Sequence, residues 1–405
     1  MNDNKLRIGL FGLGTVGTGF CRVIRMARNA HAEIAHICVR SLGKHRADDI
    51  DPALLTDRAE DILADPSINL VVEVIDDADA AFKIVSEALR RGKAVVSGNK
   101  AMIARHLPEL IELQRTTGSA LLYDASSCGS IPVIRNLEEY YDNDLLLEVK
   151  GILNGSSNYI LSRVFDHGES YAEALAGAQA RGFAEADPSR DILGYDALYK
   201  LTIITVHALG VYVDPARVLC RGIADISEND IAYAREKGMK IKLVAQVVKV
   251  SDDRFTMFVM PEFVAPPKYI YSVDDEYNGV VIRGECYDRQ FMFGKGAGAL
   301  PTASSILSDV MARRHDYRYE YKKMSYLGLP AYTDDVELRV YLRYAEPSTV
   351  EAMPFSRIVE SYTSASGVNY VIGDITVAGL IASEPLLDRP GTFVCNVPRF
   401  FLDRD

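Results

Sequence analysis

Short apolar runs alternate with helical repeats of apolar residues over the first third of the chain. Leu6–Phe11 predicts a buried strand, and the apolar residues that follow it recur at helical spacing. Asn69–Ile75 and Ala94–Ser97 predict further strands, and the first of these runs is interrupted only by Glu73. Continuous apolar strands are typical of parallel sheets covered on both faces. The repeated strand–helix order therefore predicts an α/β fold with a doubly wound parallel sheet.

A glycine-rich turn, GLGTVG, joins the first predicted strand to the first helix. In this context the spacing predicts dinucleotide binding by a Rossmann-type domain: a tight turn at Gly12, close approach of a pyrophosphate at Gly14, and helix packing at Gly17. Thr15 and Val16 open the helix, whose N-terminal N–H groups would bind the phosphates. The alternative is a glycine-rich turn with no ligand.

The end of the second predicted strand, Glu33–Arg40, bears on the choice between NAD and NADP. An NAD site places an acid there to bind the ribose diol, whereas an arginine suits a 2′-phosphate. Arg40 therefore predicts that NADP is preferred over NAD. The alternative is that this arginine is a solvated loop residue.

Two further segments are expected to reach the cofactor. A predicted strand ends at Ser97 and is followed by Asn99 and Lys100. Open α/β sheets bind their ligands at the carboxyl ends of strands, so these three are candidate site residues. Much later in the chain, Gly296 and Gly298 form a second glycine-rich approach to a helix start. That segment is expected to return to the cofactor.

A single lysine follows a group of carboxylates in residues 182–201. Glu185 and Asp191 lie in a loop, and Asp196 and Lys200 are spaced i, i+4 on a predicted helix with the acid first, the order that favours pairing. Such a stretch could hold an ammonium group and position a proton-transferring lysine. The alternative is an acidic surface loop that caps a helix.

A second helix start lies upstream, where a predicted strand leads into Asn154, Gly155 and Ser156. Asn-Gly is a turn signal, and the serines can cap the helix. A helix start that faces a cleft also binds carboxylates. From these residues alone, capping is the favoured interpretation.

The rest of the chain predicts a second sheet and a small C-terminal module. His207, inside an apolar helix, is expected to be a hydrogen-bonded core residue, residues 313–323 an exposed linker, and residues 355–362 a helix. The predicted divisions are a dinucleotide-binding domain at 1–134, completed by a returning segment at 294–312, an α+β domain at 135–293, and a C-terminal α+β module at 325–405.

Composition narrows the class of protein. The 405 residues carry a net charge of −11, which argues against nucleic acid or an anionic membrane as a partner. The 6 cysteines are scattered without a CxxC pair, as expected of reduced thiols in a cytoplasmic protein. No apolar run approaches the roughly 20 residues of a membrane span.

Taken together, the motifs resemble homoserine dehydrogenases, which interconvert aspartate 4-semialdehyde and homoserine with NAD(P). The matching pieces extend over about residues 6–312 in the family's order. They are GLGTVG from Gly12, VVEVI from Val71, GNKA from Gly98, GILNGSSNYIL from Gly151, AEADPSRDILGYDALYKL from Ala184 and GKGAGALPTA from Gly294. The resemblance implies an enzyme of threonine and methionine biosynthesis with a small amino-acid substrate.

The same resemblance implies roles for individual residues. Lys100 and Lys200 would flank the reacting carbon, one of them transferring the proton, and Asp196 would orient Lys200. Glu185 and Asp191 would hold the substrate ammonium group. Residues 154–157 would lie along the substrate and the nicotinamide.

Further implications concern ions and assembly. Asp124, Ser127 and Gly129 fall in a segment that binds Na+ or K+ in the family. The second domain would bind substrate, carry catalysis and form a homodimer or higher homo-oligomer through its sheet. In many members the C-terminal region holds a regulatory ACT domain, and the pattern here fits a divergent one.

Four features depart from the family pattern. Asp76-Asp77 replaces a pair of glycines, Phe183 a tyrosine, Asp124 a glutamate and Ser127 a valine. These departures leave two alternatives open: an NAD(P)-dependent reductase of a related amino aldehyde or keto acid, and a nucleotide-binding regulatory homologue without turnover.

Overall fold

In the computed structural model, the described residues are 5–27, 31–43, 50–184, 186–364 and 367–398. They form two compact units. The first comprises residues 1–143, 202–212 and 294–326, and the second comprises 144–201, 213–293 and 327–405, within the described ranges. No helix in these ranges is both long and apolar enough to cross a membrane.

The strands are β1 (Leu6–Phe11), β2 (Ala32–Cys38), β3 (Leu55–Thr56), β4 (Leu70–Glu73), β5 (Ala94–Ser97), β6 (Leu121–Leu122), β7 (Leu146–Ile152), β8 (Leu219–Cys220), β9 (Lys240–Ser251), β10 (Arg254–Val264), β11 (Tyr277–Gly284), β12 (Asp288–Lys295), β13 (Ala331–Tyr332), β14 (Glu337–Tyr344), β15 (Arg357–Thr363), β16 (Asn369–Thr376) and β17 (Phe393–Asn396). The helices are α1 (Thr15–Met26), α2 (Glu60–Leu63), α3 (Ala78–Arg90), α4 (Lys100–Thr117), α5 (Ala125–Cys128), α6 (Val133–Glu139), α7 (Gly155–His167), α8 (Tyr171–Ala180), α9 (Ser189–Ile192), α10 (Tyr195–Leu209), α11 (Glu228–Glu236), α12 (Ala299–Arg313), α13 (Pro347–Ala352), α14 (Val377–Ala382) and α15 (Glu384–Leu387).

The first unit is built on a parallel six-stranded sheet in the order β3-β2-β1-β4-β5-β6. Ile8, Leu10, Val71 and Val96 are fully buried, because helices cover both faces. The order reverses between β1 and β4, so the carboxyl ends of these strands frame the crevice where such sheets bind ligands. The predicted doubly wound sheet is confirmed. Helix α12 returns to this unit and packs against α1.

The second unit contains a mixed sheet with the strand path β12-β11-β7-β9-β10-β17-β14-β16-β15. Both alternations of β10 are buried: Met257 and Val259 on one face, Phe258 and Met260 on the other. Phe258 and Met260 pack into a core that includes Val340 of β14. One chain therefore covers both faces of this strand.

From β14 onward the C-terminal module runs strand–helix–strand–strand, then the two short helices α14 and α15, and then a last strand, with its four strands paired as β17-β14-β16-β15. This is the order of a split β-α-β unit. The predicted helix at 355–362 is wrong: β15 occupies Arg357–Thr363 and pairs antiparallel with β16. Ile358, Val359 and Thr363 favour this outcome, because β-branched residues fit an extended edge strand better than a helix.

A cluster of aromatic side chains fills the first unit near α10. His207 is buried, with Nε2 at 2.8 Å from the Tyr123 hydroxyl and Nδ1 at 2.6 Å from Glu138 Oε1, which confirms it as a hydrogen-bonded core residue. The prediction of an exposed linker at 313–323 is wrong, since Tyr319 and Tyr321 are buried against this histidine.

Candidate active site

The turn between β1 and α1 has the backbone shape that a phosphate-binding loop requires. Gly12 adopts a φ of +99°, and a Cβ there would lie 2.7 Å from the carbonyl oxygen of Val74. A Cβ at Gly17 would lie 2.1 Å from the carbonyl oxygen of Gly12, so the helix can approach the turn only with glycine at this position. The space around Gly14 is open, which leaves room for a ligand.

The N-terminus of α1 is also open to an anion. Gly14 is its N-cap, and no side chain caps the helix. Thr15 is exposed and Val16 half-buried at the first turn. Free N–H groups and the positive end of the helix dipole therefore face the open space at Gly14.

Arg40 lies just beyond β2, and its guanidinium Nη2 is 3.6 Å from Asp77 Oδ2. Asp77 itself caps α3, accepting hydrogen bonds from the N–H groups of Asp79 and Ala80 at 3.1 and 3.0 Å. The bond from Ala80 is the main cause that lowers the pKa of Asp77. One of the two aspartates that depart from the family pattern therefore has a structural role, and Asp76 is exposed beside it.

Glu73 organises the loop after β5. Its Oε2 accepts a hydrogen bond from Ser97 Oγ at 2.6 Å, and Ser97 Oγ accepts one from the N–H of Asn99 at 3.1 Å. Glu73 is fully buried, and burial raises its pKa to about 7. In the sequence Glu73 only interrupts an apolar strand, and that interruption is the one local signal of its role.

Lys100 begins α4 in the first unit and is half-buried. The helix is capped by Asn99, whose Oδ1 accepts a hydrogen bond from the N–H of Met102 at 3.0 Å. Asn99 also donates through Nδ2 to the carbonyl of Ile75 at 2.9 Å. The start of α4 is thereby fixed to the carboxyl ends of β4 and β5.

Lys200 and Asp196 form a buried ion pair in the second unit. Nζ of Lys200 lies 2.7 Å from Asp196 Oδ2, and these side chains are 7% and 5% exposed. Nζ also donates to the carbonyl oxygen of Leu153 at 2.6 Å. This is not the exposed surface loop of the alternative interpretation, because such a pair would be solvated.

Asn154 connects this pair to the acidic loop. Its Nδ2 donates to Asp196 Oδ2 at 2.8 Å and to Asp191 Oδ1 at 2.6 Å. Its Oδ1 accepts from the N–H of Ser157 at 2.7 Å, so the N-cap of α7 is Asn154, whereas the sequence predicted a cap from the serines. The structure thus brings together four of the predicted site residues, Lys200, Asp196, Asn154 and Asp191.

The neighbouring predicted residues are tightly packed. Gly155 opens α7, and Ser156 donates through Oγ to the carbonyl of Phe183. The Phe183 ring packs on Tyr159 with centroids 4.9 Å apart, so the departure from tyrosine is accommodated by an aromatic contact. Glu185, the other predicted ligand of the substrate ammonium group, lies outside the described residues.

Asn278 on β11 is a site residue that the sequence analysis missed. Its Nδ2 donates at 3.0 Å to the same Leu153 carbonyl that accepts from Lys200. The side chain is fully buried, and its Oδ1 has no hydrogen-bond partner in the described parts of the chain. No local motif marks this residue, because it reaches the pair only through the β11–β7 pairing.

The segment resembling a cation site lies in the first unit. Asp124 Oδ1 accepts hydrogen bonds from the N–H groups of Ile134 and Arg135 at 2.9 and 3.2 Å. Burial raises the pKa of Asp124 and of its neighbour Asp309. Ser127 is buried with no partner for its Oγ within the described ranges.

Gly129 lies two residues after Ser127, and its neighbour Ser130 donates from its backbone N–H to the carbonyl of Lys295 at 3.0 Å. The loop containing Gly129 therefore packs on the segment that carries Gly296, and Gly298 is the N-cap of α12. The start of α12 has no side-chain cap. Its first backbone N–H groups are therefore open to an anion, as they are at the start of α1.

Two sequence families match the chain. Residues 12–124 match the family described as homoserine dehydrogenase, NAD binding domain, and residues 132–311 match the family described as homoserine dehydrogenase. The homoserine dehydrogenase of Synechocystis sp. is 37% identical over 314 residues, which cover 76% of this chain and 72% of the relative. That of Bacillus subtilis is 32% identical over 360 residues, covering 87% and 81%.

Solved structures show the same similarity. A homoserine dehydrogenase from Thiobacillus denitrificans superposes with a TM-score of 0.82 at 28% identity, covering 97% of this chain and 98% of that one. A homoserine dehydrogenase from S. aureus superposes with a TM-score of 0.72 at 28% identity, covering 98% and 99%. The likeness therefore extends through both units and the C-terminal module.

Proposed function

Because the chain belongs to the homoserine dehydrogenase family, we propose that Lys200 and Asp196 are the proton-transferring pair of its active site. The protein is an NAD(P)-dependent dehydrogenase that interconverts L-aspartate 4-semialdehyde and L-homoserine. Reduction adds a hydride to the aldehyde carbon and a proton to its oxygen. A bound nicotinamide supplies the hydride, and the remaining tasks fall to the protein.

The environment of Lys200 is the observation that carries the proposal. An ammonium group has three N–H donors. Two of those of Lys200 have acceptors among the described residues, Asp196 Oδ2 and the Leu153 carbonyl. The third is left for the substrate oxygen. Lys200 would donate this proton during reduction and accept it from the homoserine hydroxyl during oxidation.

We propose that the substrate is held by groups around the same pair. Asp191 would bind the substrate ammonium together with Glu185. The N–H groups at the start of α7, from Gly155 and Ser156, suit the carboxylate, because a helix N-terminus favours an anion. Asn154 would keep Asp191 and Asp196 at a fixed separation, since one amide group donates to both.

We propose that the cofactor is held by the first unit. The open space at Gly14 and the uncapped start of α1 fit a pyrophosphate. Gly12, Thr15, Val16 and Gly17 would form the rest of this cradle. Arg40 supports a preference for NADP, because it stands where an NAD site needs an acid.

The loop after β5 and the start of α12 would complete the cofactor site, through Ser97, Asn99, Gly296 and Gly298. Lys100 would be the second lysine of the reaction centre. Its position at the end of a parallel strand, where such sheets bind ligands, supports this role.

We propose in addition a monovalent cation site at Asp124 and Ser127. Ser127 Oγ is buried there with no hydrogen-bond partner in the described ranges, the Asp124 carboxylate lies in the same segment, and Na+ and K+ bind oxygen. The Gly129 carbonyl would add a third ligand. A melting temperature that rises with KCl or NaCl but not with choline chloride would support this site, and equal effects would contradict it.

We infer that the C-terminal module at 325–405 is regulatory. The order and pairing of its strands and helices, which follow a split β-α-β unit, support this inference. A variant truncated after Tyr326 that keeps activity and effector responses unchanged would contradict it.

The activity is tested directly with purified protein, NADPH and aspartate 4-semialdehyde. We expect oxidation of NADPH, followed by absorbance at the nicotinamide band. Turnover with another amino aldehyde but not with this one would indicate a related reductase. NADPH binding without turnover of any aldehyde would indicate a regulatory homologue.

A further inference from the structure

The carbonyl oxygen of Leu153 accepts two hydrogen bonds beside the buried ion pair of the second unit. Lys200 donates to it from Nζ at 2.6 Å, and Asn278 donates to it from Nδ2 at 3.0 Å. Leu153 connects the end of β7 to Asn154, the N-cap of α7. Because a carbonyl oxygen has two lone pairs, these two donors fill its capacity to accept.

The side-chain amide of Asn278 is held in one orientation. Its nitrogen must face Leu153, because only the nitrogen can donate to a carbonyl. The side chain is fully buried, and its Oδ1 has no partner in the described parts of the chain. A buried acceptor without a partner lowers stability, and an apolar side chain of the same shape would avoid that loss. Stability alone therefore does not explain an asparagine at this position.

The second donor on the Leu153 carbonyl affects what the lysine can do. Two of the three N–H groups of Lys200 point to Asp196 Oδ2 and to this carbonyl, and the third is left for the substrate oxygen. Without Asn278, one lone pair of the carbonyl would be open to a water molecule or to the ammonium group itself. Either would draw Lys200 away from the substrate. With Asn278 in place, the carbonyl does not compete for the third N–H.

The same peptide group also positions two carboxylates. Asn154, on the far side of the peptide bond from Leu153, donates through Nδ2 to Asp196 Oδ2 at 2.8 Å and to Asp191 Oδ1 at 2.6 Å. Asn278 reaches this peptide group from β11, which pairs with β7. One amide side chain on a neighbouring strand therefore fixes the backbone from which the contacts to the lysine and to both acids begin.

We propose that Asn278 is a positioning residue for proton transfer. Its amide occupies the second lone pair of the Leu153 carbonyl and thereby holds Lys200 with one N–H directed at the substrate oxygen. Asn278 acts through this carbonyl and not by contact with the substrate. Its effect rests on the proposed function, in which Lys200 donates the proton.

A double-mutant cycle of Asn278→Leu and Lys200→Ala tests this role, with kcat measured using NADPH and aspartate 4-semialdehyde. Leucine is close to asparagine in shape and has no donor. Asn278→Leu should lower kcat about tenfold or more when Lys200 is present, and by no more than about twofold in the Lys200→Ala background, because groups that act as a unit are not additive. KM for the aldehyde and the dissociation constant of NADPH should change little, since the loss falls on the transition state.

The melting temperature separates positioning from a structural role. Asn278→Leu removes the unpaired acceptor, so the melting temperature should stay the same or rise. A lower melting temperature with unchanged kcat would show that the amide only fastens β11 to the end of β7. An equal loss of kcat in both backgrounds would show that Asn278 acts independently of Lys200. Either result would overturn the inference, whereas a Lys200→Ala single variant with the kcat of wild type would also overturn the proposed function.

Asn396→Leu is the matched control. Asn396 is another buried asparagine on a strand of the second unit, and its Nδ2 donates to Glu262 Oε2 at 2.9 Å. This variant should keep the kcat of its parent in both backgrounds, whatever its melting temperature. A loss of kcat as large as that of Asn278→Leu would show a general effect of disturbing the sheet and would overturn the inference.

Asn278→Ser repeats the cycle with a small polar side chain, which keeps the test available if leucine prevents folding. Its hydroxyl is one bond shorter than the amide and falls short of the Leu153 carbonyl. We expect a loss of kcat of about tenfold when Lys200 is present and no further loss in Lys200→Ala. A serine variant with the kcat of wild type would overturn the role of Asn278.

Discussion

At the scale of single residues, Glu73 shows how a buried acid can fix the loop that follows β5. Its carboxylate accepts from Ser97 Oγ and from the backbone N–H of Ile75 at 2.6 and 2.8 Å. The described residues place no cation against it. A carboxylate without a cation is costly to bury, which is why its pKa rises from 4.5 to about 7.

This shift makes stability depend on pH in a defined direction. Between about pH 4.5 and pH 7 the native protein keeps a proton on Glu73 that the unfolded chain has lost. The contribution of Glu73 to the free energy of unfolding therefore falls as pH rises through this window, by about 3 kcal/mol in all. Glu73→Gln cannot titrate and should remove this part of the pH dependence.

The measurement is urea unfolding of wild type and Glu73→Gln at pH 5 and pH 8. The variant should gain stability relative to wild type at the higher pH. Glu112→Gln, an exposed change of the same kind, serves as control and should run parallel to wild type. A difference between wild type and Glu73→Gln that does not change with pH would contradict the account.

At the scale of elements, the end of β2 and the start of α3 present opposite charges at the proposed 2′-phosphate position. Arg40 and Asp77 are both exposed and 3.6 Å apart. Asp77 caps the N-terminus of α3, and this structural role explains why a negative charge lies beside Arg40. A phosphate would have to replace this carboxylate as the partner of Arg40.

Two substitutions test this arrangement through KM values for NADP(H) and NAD(H). Arg40→Ala should raise KM for NADP(H) much more than for NAD(H), since a charge-assisted contact is worth about 1.5–3 kcal/mol. Asp77→Asn keeps a capping side chain but removes the charge, so it should lower KM for NADP(H). Equal changes for both cofactors would show that Arg40 does not face a 2′-phosphate.

The elements themselves were largely predictable from residue patterns. Continuous apolar runs predict strands that are buried on both faces, and GLGTVG predicts a strand–turn–helix unit. Both signals lie within short stretches of sequence, and the parallel sheet confirms them. The segment around Tyr319 was misassigned because Arg318 and Glu320 alternate with its tyrosines, which suggested a solvated surface. Only the tertiary partners Tyr123 and His207 make one side of that segment buried.

Only part of the candidate site was predictable from the sequence, because the burial of its residues depends on other elements. The spacing of Asp196 and Lys200 predicts a pair on one helix face, but spacing cannot reveal burial. Burial comes from Leu153, Asn154 and Asn278, which other elements bring to the pair. An exposed pair contributes about 0.3–0.5 kcal/mol, whereas removing one partner of a buried pair costs about 3–5 kcal/mol.

At the scale of the whole molecule, the homodimer remains a prediction, and its interface has to be sought on a surface other than β10. The family resemblance implies a homodimer formed through the sheet of the second domain, yet the chain itself covers both faces of β10 in that sheet. The aromatic residues on and beside β12 are better evidence for a subunit interface. Phe291 and Phe293 are 36% and 52% exposed and stack on Tyr269 and Tyr277. An exposed apolar group of this size is typical of an interface.

We therefore predict a homodimer in which this aromatic group is buried. Analytical ultracentrifugation at micromolar concentration should show a dimer, and Phe291→Ser with Phe293→Ser should shift the equilibrium toward monomer. Leu327→Ser removes a fully exposed isolated leucine and should leave the dimer intact. A strictly monomeric wild type would contradict the prediction.

The central claim is that Lys200 transfers the proton in the dehydrogenase reaction. The measurement is kcat of Lys200→Ala with NADPH and aspartate 4-semialdehyde, alongside the NADPH dissociation constant and the melting temperature. We predict that kcat falls by roughly 10²–10⁴-fold while NADPH binding is unchanged, and that Lys200→Arg restores little because a guanidinium holds its proton. A folded Lys200→Ala enzyme with a kcat close to that of wild type would contradict the account and leave Lys100 as the remaining candidate.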